Sequence, residues 1–436
     1  MPTWLLQCLP IELAREFAQA KRQQSSGEFR KSLNGEKQLL VDVSVVYKND
    51  ARTGIQRVVR ALLLQLLASP PHGYRIRPVF ATRQQPYSYA EINFLTSPRQ
   101  ITTADSTAQP ELVEVESDDI FLALDLAAHL LPRHKSQLLR WKRQGVCIHA
   151  VVYDLLPLQH PEWFNPKTTR NFKLWLTWLI VYADSAICIS NTVNTELKTW
   201  MSLSYQKFKP AITTSTITLG ADIDATAPTK GLSPSGKFLL ARLLTTPAIL
   251  MVGTLEPRKG YDQALAAFEI LWKSSTKTPL LVIVGRRGWK TENLQKKLKT
   301  HPDAEKKFFW LEDVSDEMLN RLYECSKGVL IASKAEGFGL PLVEAALNNK
   351  PILARDLPVL KENKIPNVTY FTASTACELA TELQQWIDKI SILSKYSIKS
   401  FKKPILPTWQ KSTEELLDAL GIVKTNKILL LKNSNN

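Results

Sequence analysis

Two glutamates that flank a glycine-rich turn are the residues of this chain best suited to bind a ligand. Glu336 and Glu344 stand eight positions apart, and Gly337 and Gly339 lie between them. Glycines let a backbone approach a ligand closely, and a helix that begins behind such a turn, here predicted from Leu340 to Leu347, presents unpaired amides to an anion. Carboxylates accept hydrogen bonds from hydroxyls. The combination suits a molecule that carries both phosphate and hydroxyls, such as a nucleotide sugar.

The same fragment, taken alone, is equally compatible with a structural role. A glycine-rich turn between a strand and a helix can carry a solvated glutamate without binding anything. A second motif shifts the balance, because Glu256, Arg258 and Lys259 follow another apolar, strand-like run. Ligands of open α/β sheets bind outside the carboxyl ends of the strands, where both motifs are predicted to lie. We therefore expect the two motifs to form one wall of a binding cleft.

The composition is that of a globular chain with room for two domains. The 436 residues are 44% hydrophobic and 22% charged. The five cysteines form no CxxC pair and no metal-ligand spacing, which favours reduced thiols over a metal site or disulfides. No apolar run reaches the length of a membrane-spanning helix, and the N-terminus lacks the features of a secretory signal. These features predict a cytoplasmic protein.

The net charge of +15 suits an anionic partner. Nucleic-acid-binding signatures are missing, so a membrane surface or a phosphate-bearing acceptor is favoured over nucleic acid. Two segments allow peripheral contact with an anionic membrane, namely a predicted amphipathic helix at residues 4–22 and a basic run at residues 133–143. The alternatives are a helix packed on the domain and a solvated helix face.

Strand, loop and helix alternate along most of the chain, which predicts doubly wound parallel sheets. Strands are predicted at Gln38–Val46, Arg75–Ala81, Asp119–Asp125, Val146–Tyr153, Ser185–Ile189 and Ile217–Leu219, and then at Ala248–Gly253, Leu280–Gly285, Phe308–Leu311, Val329–Ala332 and Pro351–Ala354. The predicted divisions are an amphipathic extension (1–35), an N-terminal acceptor domain (36–225), a linker (226–246), a C-terminal donor domain (247–405) and a closing helix with a tail (406–436).

The N-terminal domain should supply the facing wall of the cleft. Gly54 lies in a polar loop after the first strand, Asp154 stands at the carboxyl end of a later strand, and Ser190 follows another. Arg57 belongs to a group of three arginines, with Arg52 and Arg60, near Gly54. Those arginines are interpreted either as solvated helix charges or as ligands of an anionic donor or acceptor.

These motifs, in this order, resemble the family 4 retaining glycosyltransferases. The C-terminal half carries VGTLEPRKG and ASKAEGFGLPLVEAA, and the N-terminal half carries TGIQRVVRALL, YDLLPLQHPEWF and ICISNTVNTEL. The N-terminal motifs look like the subgroup of bacterial polysaccharide and O-antigen mannosyltransferases. The resemblance covers about residues 38–420. It implies the α/β fold called GT-B, in which two Rossmann-like domains face a cleft and a C-terminal helix crosses back to the N-terminal domain.

The resemblance also implies roles for single residues. Arg258 and Lys259 match the basic pair that holds the donor diphosphate, Glu336 lies near the donor sugar, and Asp154 faces them. Donor binding is assigned to Gly54, Gly253, Thr254, Val314, Phe338, Gly339, Leu340 and Glu344, with Glu344 on the ribose. Two cations and a helix N-terminus can stabilise the departing diphosphate, so no metal or other cofactor is expected.

The implied activity is that of a hexosyltransferase that moves mannose from GDP-mannose to a saccharide or lipid-linked acceptor. Three departures from the family pattern keep alternatives open: Tyr153 replaces a common histidine, Thr254 a common arginine, and Glu312 a glycine near the base-binding loop. The alternatives are a UDP-sugar donor, a sugar-nucleotide epimerase, or an inactive scaffold that binds nucleotide sugars.

Overall fold

Two parallel sheets, one in each half of the chain, organise the protein. The computed structural model describes residues 10–20, 35–95, 110–205, 212–222, 228–275, 278–395 and 406–422. A seven-stranded sheet has the spatial order β3-β2-β1-β4-β5-β6-β7, and a six-stranded sheet has the order β10-β9-β8-β11-β12-β13. Every neighbouring pair is parallel except β2 and β3. The two domains and their doubly wound sheets confirm the predicted fold class.

The strands of the N-terminal sheet are β1 Lys37–Asp42, β2 Tyr74–Phe80, β3 Ser88–Tyr89, β4 Ile120–Ala123, β5 Cys147–Val152, β6 Ser185–Cys188 and β7 Thr213–Thr216. The helices of this half are α1 Ile11–Ala20, α2 Ser44–Lys48, α3 Gly54–Ala68, α4 Lys135–Arg143, α5 Leu156–Gln159, α6 Pro166–Tyr182 and α7 Asn191–Ser204. The central strand β4 is buried at every position, as expected of a sheet covered by helices on both faces.

The strands of the C-terminal sheet are β8 Ala248–Val252, β9 Leu280–Val284, β10 Phe308–Leu311, β11 Gly328–Ile331, β12 Ile352–Arg355 and β13 Val368–Phe371. Its helices are α8 Pro234–Leu243, α9 Tyr261–Ser274, α10 Glu292–Thr300, α11 Asp316–Cys325, α12 Leu340–Leu347, α13 Pro358–Glu362, α14 Ala376–Lys395 and the closing helix α15 Trp409–Ala419.

The closing helix crosses back to the N-terminal domain, as predicted. Helix α15 packs on α3, and the amide of Thr218 donates to Glu415 at 2.7 Å. Trp409 is 3% exposed and lies against Gly220, where a Cβ atom would come within 2.4 Å of the Trp409 nitrogen. The contact is possible only because residue 220 has no side chain, so this glycine seats the crossing helix.

The first predicted strand, residues 38–46, is too long, because the chain turns into α2 after Asp42. The carboxylate of Asp42 accepts a hydrogen bond from the amide of Ser44 at 2.9 Å. Asp125, at the end of the neighbouring strand, accepts from the next two amides of α2 at 2.8 Å each. Two carboxylates therefore satisfy the free amides of a short helix that apolar patterning alone assigned to a strand.

The segment 226–246, predicted to be an irregular linker, contains α8. Ser233 caps the helix by accepting from the Gly236 amide at 3.1 Å, and Pro234 occupies its first turn. Leu239 and Leu243 are buried in the core. The predicted strand at 217–219 is also displaced, since the threonine-rich β7 precedes it.

Both segments considered for membrane contact are packed on the N-terminal domain where the structure describes them. Ala14 and Ala18 of α1 are 2% exposed, and Arg15 donates to the carbonyl of Ala183 at 3.1 Å. In α4, the ammonium of Lys142 is buried and pairs with Asp184 at 2.8 Å. Residues 4–9 lie outside the described residues. Within the described ranges, no helix has the length and apolarity needed to cross a membrane.

Two buried carboxyls beside α2 predict that stability falls as the pH rises. Burial is the main cause that raises the pKa of Asp42 to about 6 and that of Asp125 to about 7. The folded protein therefore keeps protons that the unfolded chain, with ordinary carboxyl pKa values near 4, has already lost. The free energy of unfolding should decline as the pH rises through 6 and 7.

We expect Asp125→Asn to flatten that decline by a few kcal/mol between about pH 5 and 8, measured by urea unfolding across the range. The amide oxygen of asparagine can still accept from α2, so the fold is kept. Asp118→Asn, at a carboxylate that is 69% exposed, should leave the pH dependence unchanged. Parallel pH profiles for wild type and Asp125→Asn would contradict the assignment.

Candidate active site

A cavity of about 650 Å³ lies between the two sheets, at the carboxyl ends of their strands. Both domains contribute to its wall. Every predicted site residue lines it: Gly54, Asp154, Gly253, Thr254, Arg258, Lys259, Val314, Glu336, Phe338, Gly339, Leu340 and Glu344. Ser190 is not part of the lining and lies behind it. The structure thus brings together residues that the sequence places up to 290 positions apart.

Glu336 is held between two cations at the centre of the C-terminal wall. Its carboxylate accepts from Arg258 Nη1 at 2.7 Å and from Lys259 Nζ at 2.6 Å, and its side chain is only 7% exposed. Burial alone would raise the pKa of Glu336, but Lys259 and Arg258 outweigh it and lower the pKa to about 2. Glu256 accepts from Arg258 Nε at 2.7 Å. At neutral pH the cluster therefore consists of charged groups held in fixed positions.

The glycine turn brings this cluster against the N-terminal domain. A Cβ atom on Gly337 would lie 2.2 Å from the carbonyl oxygen of Tyr153, and Ser190 Oγ donates to the Gly337 carbonyl at 2.9 Å. Gly339 has φ 93°, a left-handed conformation that favours glycine, and it precedes α12. Leu340 and Pro341, at the start of α12, line the cavity, where the positive end of the helix dipole can meet an anion.

Asp154 faces the Arg258 cluster from the N-terminal wall. Burial raises the pKa of its carboxyl to about 6, although the positive charge of Arg258 opposes the shift. One carboxylate oxygen accepts from the Leu156 amide at 3.1 Å. A carboxyl that gains or loses its proton near neutral pH, in the wall of a cleft, is suited to exchange a hydrogen bond with a hydroxyl.

Glu344 is joined to the opposite domain by an ion pair. Arg57 donates to Glu344 at 2.6 Å through Nη1 and to Asp316 at 2.6 Å through Nη2. Tyr323 donates its hydroxyl to the second oxygen of Glu344 at 2.8 Å. From the sequence, Arg57 was interpreted either as a solvated helix charge or as a ligand of an anionic donor or acceptor. The structure shows a third role, in which the guanidinium bridges two carboxylates across the cleft.

The other two arginines of that group differ from Arg57. Arg52 also reaches Asp316, at 3.2 Å. Arg60 is 2% exposed and pairs with Asp50 at 2.8 Å inside its own domain, so it is neither solvated nor in the cavity. Burial of an arginine on a helix face could have been inferred from the apolar residues on both sides of it.

The residues that depart from the family pattern also have defined surroundings. Tyr153 lines the cavity, and its hydroxyl donates to the Leu124 carbonyl at 2.8 Å, so that hydroxyl already has an acceptor within its own domain. Glu312 lines the cavity and pairs with Arg287 at 2.6 Å, on the exposed side of the cleft. The methyl-bearing Thr254 also lines the wall.

Several cavity residues were not singled out individually in the sequence. Phe164 and Trp289 come from opposite domains and approach to 5.9 Å between ring centroids. The indole of Trp289 donates to the Trp163 carbonyl at 2.9 Å, which fixes the ring across the cleft. Arg83 and His129 line the N-terminal wall. No three His, Cys, Asp or Glu side chains of the described ranges are grouped so that they could hold a metal ion.

Comparisons with known proteins agree with this geometry. Residues 240–400 match the family model described as glycosyl transferases group 1. The serotype-specific mannosyltransferase WbdA of Escherichia coli is 40% identical over 396 residues, which cover 89% of this chain and 48% of that protein. The chain thus spans about half the length of the curated relatives it matches.

Two solved structures show the same fold. HepE of Anabaena, crystallised with UDP-glucose, has a TM-score of 0.58 at 17% identity, over 88% of this chain and all of that one. Sucrose-phosphate synthase from Thermosynechococcus elongatus has a TM-score of 0.53 at 17% identity, over 91% of this chain and 99% of the other. At such identities the likeness concerns the fold.

Proposed function

This chain carries a group 1 glycosyl transferase domain at residues 240–400, in a GT-B fold, and on that premise we propose that it is a retaining mannosyltransferase. It transfers mannose from GDP-mannose to a saccharide or lipid-linked acceptor during synthesis of a bacterial surface polysaccharide. The similarity to the E. coli mannosyltransferase supports the sugar and the process. The single observation that carries the proposal is that Arg258 and Lys259 both pair with Glu336, which lies just before the N-terminus of α12.

The charges of the site match the electron flow of sugar transfer. The bond between the anomeric carbon and the diphosphate breaks, and its electron pair passes to the diphosphate. Arg258, Lys259 and the positive end of the α12 dipole stabilise that negative charge. The acceptor oxygen bonds to the anomeric carbon, and its proton passes to the departing phosphate. Asp154, on the wall that faces Arg258 and Lys259, accepts a hydrogen bond from a hydroxyl of the bound substrate. The chemistry needs no metal ion.

The nucleoside half of the donor belongs at Glu344. Both carboxylate oxygens already accept hydrogen bonds, one from Arg57 and one from Tyr323. Ribose hydroxyls therefore share or replace the bond to Arg57 when the donor enters. Glu312, which stands in the cavity wall where relatives carry glycine, supports a second candidate in which the donor is a UDP-sugar.

A thermal-shift panel with GDP, UDP and ADP, each with its sugar derivatives, tests the donor. The preferred nucleotide at about 100 times its Kd should stabilise the protein by roughly 2.7 kcal/mol. Transfer of labelled mannose to an alkyl mannoside, in the presence of EDTA, tests the reaction and its independence of metal. An intact protein that binds none of the nucleotides would refute the proposal, and a preference for UDP would replace GDP-mannose.

The site of action is proposed to be the cytoplasm, with peripheral contact to the inner face of the membrane. The supporting observations are the excess of basic residues and the lipid-linked acceptor that the proposed process uses. Sedimentation with anionic and neutral vesicles measures the contact directly.

A further inference from the structure

Trp289 presents an aromatic ring to the cavity and keeps no unbonded polar atom. It lies between β9 and α10 of the C-terminal domain and lines the cavity. The polar atom of its side chain, the indole Nε1, already donates to the carbonyl of Trp163 in the opposite domain at 2.9 Å. What Trp289 can offer to a ligand is therefore the apolar surface of the ring. Such a surface suits the carbon face of a ring-shaped ligand.

Contacts that cross between the domains hold this ring in a fixed position. Next to it, the ammonium of Lys290 donates to the carbonyl of Glu162 at 2.8 Å. The loop that receives both bonds is stabilised by a ring stack, since the centroids of His160 and Trp163 lie 3.9 Å apart and their planes differ by 13°. A ring that is already fixed loses little freedom on binding, so more of its contact energy appears as affinity.

Phe164 adds a second aromatic surface from the N-terminal domain. Its ring lines the cavity, is only 8% exposed and lies 5.9 Å from the Trp289 ring between centroids. Phe164 belongs to the connection between β5 and α6, which also carries Asp154. The aromatic pair therefore joins the loop of Trp289 to the connection that holds Asp154.

Three polar side chains at the start of α6 line the same cavity. Asn165, Thr168 and Asn171 follow one another at intervals of three residues, so each lies about one helical turn from the next. Asn165 occupies the N-cap position, but its side chain makes no capping bond, although asparagine is among the preferred capping residues. Among the residues that the structure describes, the side chains of Thr168 and Asn171 also have no hydrogen-bond partner. Two amides and a hydroxyl are thus available to a ligand.

We propose that Trp289, Phe164 and these polar side chains of α6 form a subsite for a sugar ring of the acceptor. The inference rests on the proposed function and gives the domain that binds the donor a residue that recognises the acceptor, Trp289. A pyranose carries C–H groups on its faces and hydroxyls around its edge. The aromatic rings suit the face, and Asn165, Thr168 and Asn171 exchange hydrogen bonds with the edge.

The nucleobase of the donor is the other flat group that could stack on these rings. The ribose is proposed to lie at Glu344, which contacts Arg57 and Tyr323. None of these three residues belongs to the connection of Phe164 or to the loop of Trp289. Three available amide and hydroxyl groups also suit a molecule with many hydroxyls better than a base. The aromatic pair is therefore assigned to the saccharide.

The test is an NMR titration of a methyl mannobioside into the whole protein, with GDP at saturating concentration. Sugar protons that stack on the indole should shift upfield through its ring current. Trp289→Leu keeps apolar bulk and removes the ring, so it should abolish this shift, weaken the mannobioside on the order of tenfold and leave the Kd of GDP unchanged. Trp289→Phe keeps a ring without the bond to Trp163 and should retain most of the affinity. Trp200→Leu, at a partly exposed tryptophan of α7 outside the cavity lining, is the matched control and should change neither ligand.

Asn165→Ala tests the polar side of the subsite. Because the side chain makes no capping bond, the substitution should leave the melting temperature unchanged and weaken the mannobioside about fivefold. Ser233→Ala removes a side chain that does cap its helix, α8, and should show the reverse, a lower melting temperature with unchanged binding. If Asn165→Ala instead behaves like Ser233→Ala, Asn165 has only a structural role and the polar side of the subsite is wrong.

Two results would overturn the assignment of Trp289. Equal losses in Trp289→Leu and Trp289→Phe would mean that the ring acts only through its bond to Trp163. Loss of GDP affinity without loss of saccharide affinity would assign the ring to the nucleobase.

The same measurements separate this inference from the proposed function. If Trp289→Leu transfers mannose with the wild-type KM for the acceptor, the function stands and the subsite falls. If the mannobioside binds to wild type with the upfield shift but no sugar nucleotide is turned over, the sugar subsite stands and the mannosyltransferase proposal falls.

Discussion

Replacing Lys259 with methionine is expected to lower kcat/KM for the donor by about 10²–10³, because one of the two cations proposed to stabilise the departing diphosphate is lost. Methionine keeps the length and the apolar stem of the side chain, so the cavity is not widened. The measurement is steady-state transfer of mannose with the donor varied. Lys389→Met, on the exposed face of α14, is the matched control and should keep full activity.

The same substitution leaves the buried Glu336 with Arg258 as its single cation, so stability should also fall, by less than the roughly 3–5 kcal/mol that a fully unpaired buried charge costs. The double variant with Glu336→Gln removes the charge that Lys259 no longer helps to compensate and should recover most of that stability. It should not recover transfer, since the cation at the diphosphate is still missing. If the double variant regains activity, Lys259 acts only by supporting the fold, and the catalytic assignment is wrong.

Gly337→Ala is expected to reduce transfer about 10²-fold, through geometry and not through charge. The new methyl group would lie 2.2 Å from the Tyr153 carbonyl, which belongs to the opposite domain. The turn must move away from that wall, and Glu336 moves with it. Because the collision is between domains, each domain should keep its own fold. Kinetics and small-angle scattering of the variant with bound GDP measure the two effects.

Lys334→Ala provides the comparison for Gly337→Ala, since it shortens an exposed side chain in the same turn and adds no atom at the domain contact. Its activity and its scattering profile should match those of wild type. If Gly337→Ala transfers mannose at the wild-type rate, the close approach of the turn to Tyr153 is not part of the active arrangement.

The elements that the sequence predicted most accurately are those whose ends are set by local chemistry. Helix α12 begins behind Gly339, with proline in its first turn, and runs from Leu340 to Leu347 as expected. Strand β10 was predicted at Phe308–Leu311 and has those bounds. In both cases glycine, proline or a change from apolar to charged residues marks the boundary. Helix α8 was missed because Pro228, Gly231, Pro234 and Gly236 in and before it indicated a linker, although half of its ten residues are apolar.

The position of the site was predictable because parallel strands place the residues that follow them along one edge of a sheet. The residues that they contact in the opposite domain were not predictable. Arg57 and Glu344 are 287 positions apart and meet only because the two domains face each other in one orientation. Hydrophobic periodicity describes how each domain folds and carries no information on how two folded domains are oriented.

The cross-domain contacts also govern how the two halves of the chain can diverge. Trp289 donates to a backbone carbonyl, that of Trp163, so any residue at position 163 preserves the bond. Arg57 meets Glu344 and Asp316 through its side chain, so a change of Arg57 alone removes a cation from two buried carboxylates of the opposite domain. A lineage that acquires a new acceptor must therefore inherit Arg57 together with Glu344 and Asp316, and the side-chain bonds of Asn191 and Thr192 to Glu362 obey the same rule. Chimeras that exchange N-terminal halves between relatives need to satisfy the same rule.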